Sequence, residues 1–489
     1  MKRQLLTLAA VCLSATSLFA AHTGRVFTDN NRNGLFDPGE RGMKGVAVSD
    51  GLHVVLTDAE GHFSLPGHAK ERFLFITTPS GYMTFNRHYN RIETGKEQHL
   101  FGLMPYKGGI QRDGSHSFIH ISDTEIFNTI NHEDWTANLR DRAAQEQSAF
   151  IVHTGDICYE AGLNRHIEIM NSANMNCPVY YTIGNHDLVK GAYGEELFES
   201  LYGPVFYSFD VGNVHYIVTP MLGGDHAPSY KKEDVYHWLK NDLAVVDKQK
   251  SIVVFNHDLL TTEDHFIYGI NEKEQIDLNA HNLKAWLYGH WHINYIRRQG
   301  EVLAISTASL DKGGIDHSTS AFRLLHVDKG GNLSSTLCYT YINKALRIAS
   351  IQNEQAVVTA KGTIPLTVNS YSSVAATQSV TYSCRVGDRQ LMSNRPLRQQ
   401  TDWSWHAEIP AATLQAGDRV VVRVKAHYAN GEIAETSESF RYAPGTKQQP
   451  AVEGEWNNLL GNAQHIGIST AKLTAPLQLA WIKNVGANL

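Results

Sequence analysis

The sequence predicts a multidomain protein in which a central layered α/β domain is flanked by two all-β sandwich domains. Between about residues 112 and 345, short apolar runs alternate with helical segments, the pattern of parallel strands joined by crossovers. On either side, short alternating runs recur between turn signals, as in β-sandwiches. With 489 residues, of which 42% are hydrophobic, the chain is long enough to form several cores.

The predicted organisation has five segments. They are a signal peptide (1–20), an N-terminal β-sandwich (21–107), the α/β domain (112–345), an Ig- or fibronectin-like β-sandwich (346–443) and a tail (444–489).

The first segment has the form of a secretory signal. Met1-Lys-Arg3 precedes an apolar run that begins at Leu5, and small residues near Ala20 predict cleavage after that residue. The mature chain is therefore expected to be exported, either to the periplasm or to the cell surface or medium. No later apolar stretch is long enough to span a bilayer, so we expect no transmembrane segment in the mature chain.

The N-terminal sandwich carries a calcium-loop pattern, D-x-[DN]-x-[DN]-G-x5-E, in which Gly34 permits the sharp turn. Its oxygen-bearing side chains are Asp29, Asn31, Asn33, Asp37 and Glu40. The flanking segments are strand-like, so the module resembles the calcium-stabilised β-sandwich repeats of bacterial surface proteins and the carboxypeptidase regulatory-like modules. That resemblance implies a structural calcium ion. The alternative is an Asx-rich turn without metal.

Five apolar runs of the α/β domain have the length of buried parallel strands, at residues 118–121, 150–153, 179–183, 252–255 and 285–288. Helices predicted over 133–148 and 231–246 supply crossovers. Each run is followed by metal-seeking side chains, in the clusters Asp123-Thr-Glu125, Gly155-Asp156, Gly184-Asn185-His186-Asp187, Asn256-His257 and Gly289-His290-Trp-His292. Since open α/β sheets gather their sites beyond the carboxyl ends of strands, we expect these clusters to meet.

The order and residue types of these clusters resemble the calcineurin-like metallophosphoesterases over about residues 112–345. The resemblance implies two divalent ions (Mn, Fe, Mg or Zn) that clamp a phosphoryl group and activate water. It also implies the ligands, which are Asp123, Asp156 and His292 for the first ion and Asp156, Asn185, His257 and His290 for the second. His186 would stabilise the transition state and protonate the leaving oxygen, with Asp187 orienting it.

One position departs from the family pattern, because residue 125 is Glu where the family usually has His. Glu125 is assigned to the first metal site, where a carboxylate favours Mn, Mg or Fe over Zn. Alternatively, Glu125 hydrogen-bonds a water on the metal.

The third domain is predicted from alternating runs at residues 355–359, 380–384 and 419–426. In the tail, residues 455–486 resemble the opening of a quinoprotein-type β-propeller. This segment either pads another domain or marks a truncated form of a longer protein.

Charge and cysteine content constrain the partners. A formal net charge of -6 gives no footprint for general nucleic-acid binding. The four cysteines after the signal leave a disulfide open. We expect a phosphoester substrate, monoester or diester, and leave the oligomeric state open. The alternative function is a degenerate phosphatase fold whose sandwiches bind glycan or protein at the cell surface.

Overall fold

The structure is a computed structural model, which describes residues 21–84, 87–93, 95, 98–126, 132–342, 344–351, 354, 356, 362–372, 375–401 and 403–444. The predicted signal peptide, the tail after residue 444 and most of the predicted strand at 355–359 lie outside these ranges. The chain divides into two compact units, residues 1–343 and residues 344–489.

Among its described residues, the N-terminal module of the first unit contains eight strands. They are β1 His22–Thr28, β2 Ala47–Ser49, β3 Val54–Leu56, β4 His62–Leu65, β5 Phe73–Ile76, β6 Tyr82–Thr84, β7 Tyr89–Arg91 and β8 Gln98–Pro105. They form two four-stranded sheets, ordered β4-β1-β8-β6 and β3-β2-β5-β7. The inward positions of both sheets supply one apolar core, which includes Val26, Val48, Leu74 and Leu103. The predicted calcium loop connects β1 to β2.

The α/β domain follows in the same unit. Its strands are β9 His116–Ile121, β10 Ile151–His153, β11 Val179–Tyr181, β12 Tyr207–Val211, β13 Val214–Val218, β14 Ser251–Phe255, β15 Ile267–Asn271, β16 Glu274–Asp277, β17 Leu283–Tyr288, β18 Tyr295–Gln299, β19 Val302–Ser306, β20 Ala321–Val327 and β21 Leu333–Tyr339. Its helices are α1 Glu133–Gln145, α2 Tyr159–Ile169, α3 Ser172–Met175, α4 Glu196–Tyr202 and α5 Lys232–Val245, with a 3-10 turn at Asn279–His281.

Two sheets form the centre of this domain, one ordered β11-β10-β9-β20-β21 and the other β12-β13-β14-β17-β19-β18, while β15 and β16 form a separate hairpin. An aromatic layer joins the two main sheets. Phe118 of the first sheet meets Tyr216 and Phe255 of the second at ring-centroid distances of 5.6 and 5.9 Å. These rings are fully buried, so this layer fixes how the two sheets stack.

The prediction of parallel strands with crossovers is confirmed. In the first sheet β9, β10 and β11 are parallel, and in the second β13, β14, β17 and β19 are parallel. The helices predicted over 133–148 and 231–246 correspond to α1 and α5. The structure adds that the five ligand-bearing strands are divided between two sheets, three in one and two in the other. Short apolar runs do not indicate which sheet a strand joins.

A half-buried arginine links the module to the α/β domain. The guanidinium of Arg72 lies 2.8 Å from Glu195 and 2.6 Å from Glu199, and both carboxylates are buried. Arg72 also donates to the hydroxyl of Ser229 at 2.9 Å. A planar guanidinium suits such forked pairing, because its donors diverge in a fixed geometry.

The second unit is a β-sandwich. Its strands are β22 Lys344–Ile348, β23 Thr363–Ser372, β24 Thr377–Val386, β25 Arg389–Pro396, β26 Arg398–Gln399, β27 Ser404–Pro410, β28 Arg419–Tyr428 and β29 Ile433–Arg441. They form two sheets ordered β22-β23-β27-β26 and β25-β24-β28-β29 around an apolar core. The predicted runs at 380–384 and 419–426 lie in β24 and β28. The overall fold class, an α/β core with all-β regions before and after it, is confirmed.

Two further expectations concern the described residues. Cys158, Cys177, Cys338 and Cys384 are buried free thiols, so the structure has no disulfide among them. Within the same ranges, the helices are too short or too polar to cross a bilayer.

A buried histidine ties α5 to the second sheet. His215 of β13 lies between Asp210 and Asp242, with nitrogen–oxygen distances of 2.8 and 2.9 Å. Lys250 also contacts Asp210 at 2.6 Å, and Ser208 donates to Asp242 at 3.0 Å. Burial alone would lower the pKa of His215, but the two carboxylates raise it to about 9.

We predict that the contacts of His215 with Asp210 and Asp242 make the free energy of unfolding fall as the pH rises. Because the folded pKa lies above the ordinary value of 6.5, the contribution is complete below about pH 6.5 and is lost as the pH rises through about 9. Its size is on the order of 3 kcal/mol, at about 1.4 kcal/mol per pKa unit. Urea denaturation of the full chain across this range measures it. His215→Gln should be less stable at pH 6.5 and should lack the decline, whereas equal declines in both proteins would contradict the assignment.

Candidate dinuclear metal site

The predicted ligands lie beyond the carboxyl ends of five strands. Asp123 follows β9, Asp156 follows β10, Asn185 follows β11, His257 follows β14, and His290 and His292 follow β17. Parallel strands end at the same edge of their sheet, and the two sheets bring their edges together here. The structure therefore gathers side chains that are up to 169 positions apart in the sequence, from Asp123 to His292.

These side chains form two groups with one member in common. Ligand atoms of Asp156, His257 and His290 lie within 4.8 Å of one another, as do those of Asp123, Asp156 and His292. Asp156 belongs to both groups and is 1% exposed. A carboxylate with two oxygens can bridge two cations, so the donor set fits a pair of divalent ions.

Asn185 joins the second group through its contact with His257. Oδ1 of Asn185 and Oδ2 of Asp156 each lie 3.1 Å from Nε2 of His257. Nδ1 of His257 lies 2.7 Å from the carbonyl oxygen of Thr154, to which it donates. This hydrogen bond fixes the tautomer and turns Nε2 toward the ligand group, as is usual for metal-binding histidines.

The first group contains Asp123 and His292, whose Oδ1 and Nε2 atoms lie 3.4 Å apart. The backbone N–H of His290 donates to both carboxylate oxygens of Asp123, at 3.1 Å each. The loop after β17 therefore holds the first group through its backbone while it supplies histidines to both groups.

Four of the ligands have a backbone conformation that L-residues rarely adopt. Asp123, Asp156, His290 and His292 have φ values of 52°, 56°, 61° and 51°. Each such residue is strained by roughly 1 to 2 kcal/mol, so the surrounding contacts must enforce the conformation.

Two of the motif glycines are required by close contacts. A Cβ at Gly184 would lie 2.2 Å from Oδ1 of Asp156, and a Cβ at Gly289 would lie 2.3 Å from Oδ2 of Asp123. Any side chain at either position would displace a ligand carboxylate. This explains why glycine precedes Asn185 and His290.

The electrostatic potential of the site favours positive charge. Burial alone would lower the pKa of His257, but Asp156 and Asp123 raise it to about 9. The pKa of His292 is also raised, chiefly by its hydrogen bond to Asp123. A site that draws protons onto its imidazoles also attracts cations, and binding a cation there releases those protons.

His186 lies beside the two groups but belongs to neither. Its backbone N–H donates to Oδ1 of Asp156 at 3.0 Å, and its side-chain Nδ1 lies 2.9 Å from Oδ2 of Asp225. The ring of Tyr159 lies 5.4 Å from the imidazole. Burial alone would lower the pKa of His186, but Asp225 and Asp156 raise it. The imidazole is one-third exposed, so a substrate can reach it.

The expectation that Asp187 orients His186 is wrong in this structure. Asp187 is fully buried and accepts backbone N–H bonds from Asp156, Cys158 and Gly184, at 2.9, 2.8 and 2.8 Å. It stabilises the loops that carry the ligands. Asp225, 39 positions from His186, takes the orienting place. No motif marks Asp225 in the sequence, because its loop reaches His186 only through the fold.

Glu125 lies at the edge of the first group. Its Oε1 is 3.5 Å from Nε2 of His292, while its Oε2 is 2.9 Å from the ammonium of Lys312. Lys312 also donates to the backbone carbonyl of Glu125 at 2.8 Å. No motif in the sequence marks this lysine, which is 187 positions from Glu125. One carboxylate oxygen thus faces the ligands and the other faces a cation of the protein.

The predicted calcium loop also brings its side chains together. Asp29 accepts from the backbone N–H of Gly34 at 2.8 Å, and Glu40 accepts from those of Asn30 and Asp37 at 2.8 and 2.9 Å. In addition, Oδ2 of Asp37 accepts from the side-chain amides of Asn31 and Asn33, at 2.7 Å each. The loop therefore has five oxygen-bearing side chains around one turn.

Comparison with known proteins agrees with this geometry. Residues 116–294 match the family described as calcineurin-like phosphoesterase, and residues 30–105 match the family described as the N-terminal part of calcineurin-like phosphoesterase. These ranges cover the clusters from Asp123 to His292 and most of the N-terminal module.

Purple acid phosphatase 21 of Arabidopsis thaliana is 28% identical over 174 residues, which are 31% of this chain and 38% of that protein. The chain thus spans less than half the length of this curated relative. Among solved structures, a purple acid phosphatase from yellow lupin (Lupinus luteus) seeds has a TM-score of 0.35 and 13% identity, covering 60% of this chain and 66% of its own. An anchor protein of the Plasmodium inner membrane complex has a TM-score of 0.34 and 14% identity, covering 46% and 85%.

We predict that Glu125 supports the first metal site. Glu125→Ala should bind about one divalent ion fewer than the parent and reduce turnover, because one Lewis acid of the dinuclear site is lost. Glu125→His should restore the second ion and shift the preference toward zinc, since imidazole suits that metal better. Elemental analysis of the purified variants measures both effects. If Glu125→Ala binds as many ions as the parent, Glu125 lies outside the ligand set.

Proposed function

The chain belongs to the calcineurin-like phosphoesterases, and we propose that it hydrolyses phosphomonoester or phosphodiester bonds at a dinuclear metal site. The observation that carries this proposal is the position of Asp156. It is buried and common to both ligand groups, as the bridging ligand of a two-metal centre must be.

The donor set indicates what the ions contribute. Two divalent ions held by these ligands would acidify a water nucleophile and offset the charge that develops on the phosphoryl group. Mixed nitrogen and oxygen ligands suit Mn, Fe or Zn, and Mg more weakly, so the identity of the metal is left to measurement.

His186 is the residue that would donate a proton to the leaving oxygen. Asp225 accepts a hydrogen bond from Nδ1 of His186, which leaves Nε2 to give a proton to the leaving oxygen. The raised pKa of His186 favours the protonated ring that a general acid requires near neutral pH. The backbone N–H of His186 is bonded to Asp156, so the acid and the bridging carboxylate are held together.

We predict that the protein hydrolyses 4-nitrophenyl phosphate or bis(4-nitrophenyl) phosphate when Mn²⁺ is added, and that EDTA abolishes the activity. Comparing the two substrates separates monoester from diester preference. Asn185→Ala and His290→Ala should lose bound metal. His186→Ala should keep the metal and lose turnover by about 10² to 10⁴, the usual scale of general acid catalysis. Asp225→Asn should show a smaller loss, since it acts through His186.

A matched control is His226→Ala, an exposed histidine next to Asp225, which should retain full turnover. Full activity after chelation, with no metal by elemental analysis, would contradict the proposal. Absence of both metal and activity would favour the degenerate surface-protein alternative.

We also propose that the loop from Asp29 to Glu40 binds a structural calcium ion. Its five oxygen-bearing side chains and the sharp turn at Gly34, whose φ is 74°, support this proposal. Calcium prefers six to eight oxygen ligands, and a glutamate at the last loop position binds it through both oxygens.

For this loop we predict a calcium-dependent rise in the melting temperature of the full chain, because a ligand that binds only the folded state stabilises it by mass action. Glu40→Gln should remove the part of the rise that is due to the loop. Glu60→Gln, an exposed glutamate of the same module, should respond like the parent. Equal responses in the parent and Glu40→Gln would instead indicate a turn without metal.

Finally, we propose that the protein is exported. The basic start, the apolar run and the small residues around Ala20 support this proposal.

A further inference from the structure

A second cluster of histidines and carboxylates lies in the N-terminal module, outside the calcium loop. Asp50 and His53 belong to the turn between β2 and β3, and His68 and Glu71 belong to the segment between β4 and β5. Each pair has a spacing of three residues, so a tight turn can direct both side chains of a pair to one point. We call these four residues the module cluster.

The donor atoms of three residues of the module cluster are close enough to share one ion, and His53 contacts one of the three. Ligand atoms of Asp50, His68 and Glu71 lie within 4.8 Å of one another. Nδ1 of His53 lies 2.8 Å from Oδ2 of Asp50, whereas Nε2 of His68 lies 3.0 Å from the backbone carbonyl oxygen of Asp50 and 3.7 Å from its Oδ1. Ligands of a single zinc ion, at about 2.0 to 2.2 Å from it, must approach each other to similar separations.

The two carboxylates are held in place by other groups. The side chain of Asp50 is 0% exposed, and its Oδ1 accepts from the backbone N–H groups of Leu52 and His53 at 2.9 and 2.7 Å. Glu71 accepts from the backbone N–H of His68 at 2.9 Å and contacts Nε2 of His22 at 2.9 Å. Such outer contacts orient metal-binding carboxylates.

The charge balance of the module cluster calls for a cation. Within the described ranges, the ion-pair partners of Asp50 and Glu71 are histidines alone, namely His53, His68 and His22. The side chain of Asp50 is buried, and a buried carboxylate requires compensation by charge or by hydrogen bonds. A divalent ion would offset both carboxylates and bind the imidazoles in their neutral form.

We propose that the module cluster binds one divalent transition metal ion, with zinc as the preferred ion. Asp50, His68 and Glu71 are the ligands, and His53 is the fourth. Two imidazoles and two carboxylates are a donor set for zinc, whereas calcium and magnesium prefer oxygen alone.

The position of the module cluster indicates what the ion does. The cluster borders a cavity of about 320 Å³, which is lined by Asp50, His68 and Glu71 of the module and by Ser229 and His237 of the α/β domain. Glu71 is adjacent to Arg72, the residue that pairs with Glu195 and Glu199. An ion that joins the two turns therefore fixes the segment through which the module contacts the α/β domain.

The test compares zinc bound by the full chain and by His68→Gln. After metal removal, zinc loading and gel filtration, the parent should hold one zinc ion per chain more than His68→Gln, and zinc should raise the melting temperature of the parent by more. The control is His62→Gln, an exposed histidine of the same module that lies 3.7 Å from Asp58. It should match the parent. Equal zinc content in the parent and His68→Gln would overturn the proposal, as would an equal loss in the control.

A second measurement separates this site from the dinuclear site. In an Asp156→Asn background, which removes the shared ligand of the dinuclear site, the chain should still retain one zinc ion, and Glu71→Gln should remove it. No zinc in the Asp156→Asn chain would overturn the proposal even if His68→Gln fails to fold. Hydrolysis by Glu71→Gln alone should remain as in the parent, because neither ligand group of the dinuclear site includes Glu71.

Discussion

The rest of the site depends on one buried carboxylate, that of Asp156. It belongs to both ligand groups, accepts the backbone N–H of His186 and leaves no room for a Cβ at Gly184. A second carboxylate, Asp187, is buried beneath it and bonds three backbone N–H groups. Burial and the neighbouring carboxylate of Asp156 raise the pKa of Asp187 to about 7, so charge on both carboxylates is tolerated only where cations or hydrogen-bond donors surround them. The need to compensate these two carboxylates accounts for the histidines and backbone N–H donors around them. It also explains why the site suits cations.

Much of the architecture could be predicted because local signals report it directly. Each apolar run has the length of a buried strand and is followed by its motif, so the positions of Asp123, Asp156 and His257 beyond strand ends could be predicted, while their roles as ligands came from the family resemblance. The flanking β regions were visible from alternation and turn residues. The division of the ligand strands between two sheets was not visible, because strand pairing is a long-range choice that apolar runs do not encode.

The details that the sequence did not reveal depend on contacts between distant loops. Asp187 is adjacent to His186 in the motif, yet its carboxylate points into backbone donors, and Asp225 from a different loop contacts the imidazole. Lys312 and the module cluster were missed for the same reason, since single lysines or histidines carry no local signature. The left-handed backbone at Asp123, Asp156, His290 and His292 was equally invisible, because only packing enforces a conformation that these residue types disfavour.

The division of the ligands between two sheets has a consequence for how this centre can vary. One sheet carries Asp123, Asp156 and Asn185 at its strand ends. The other sheet carries His257, His290 and His292. Each ligand group therefore takes residues from both sheets, and the spacing of the sheets, across which Phe118 faces Tyr216 and Phe255, sets how closely the residues of a group approach one another. A change of ring size in this layer would alter the distance between the carboxylate and imidazole ligands of the same group while every ligand is retained. The fit of a cation in this domain therefore depends on core residues that are not themselves ligands.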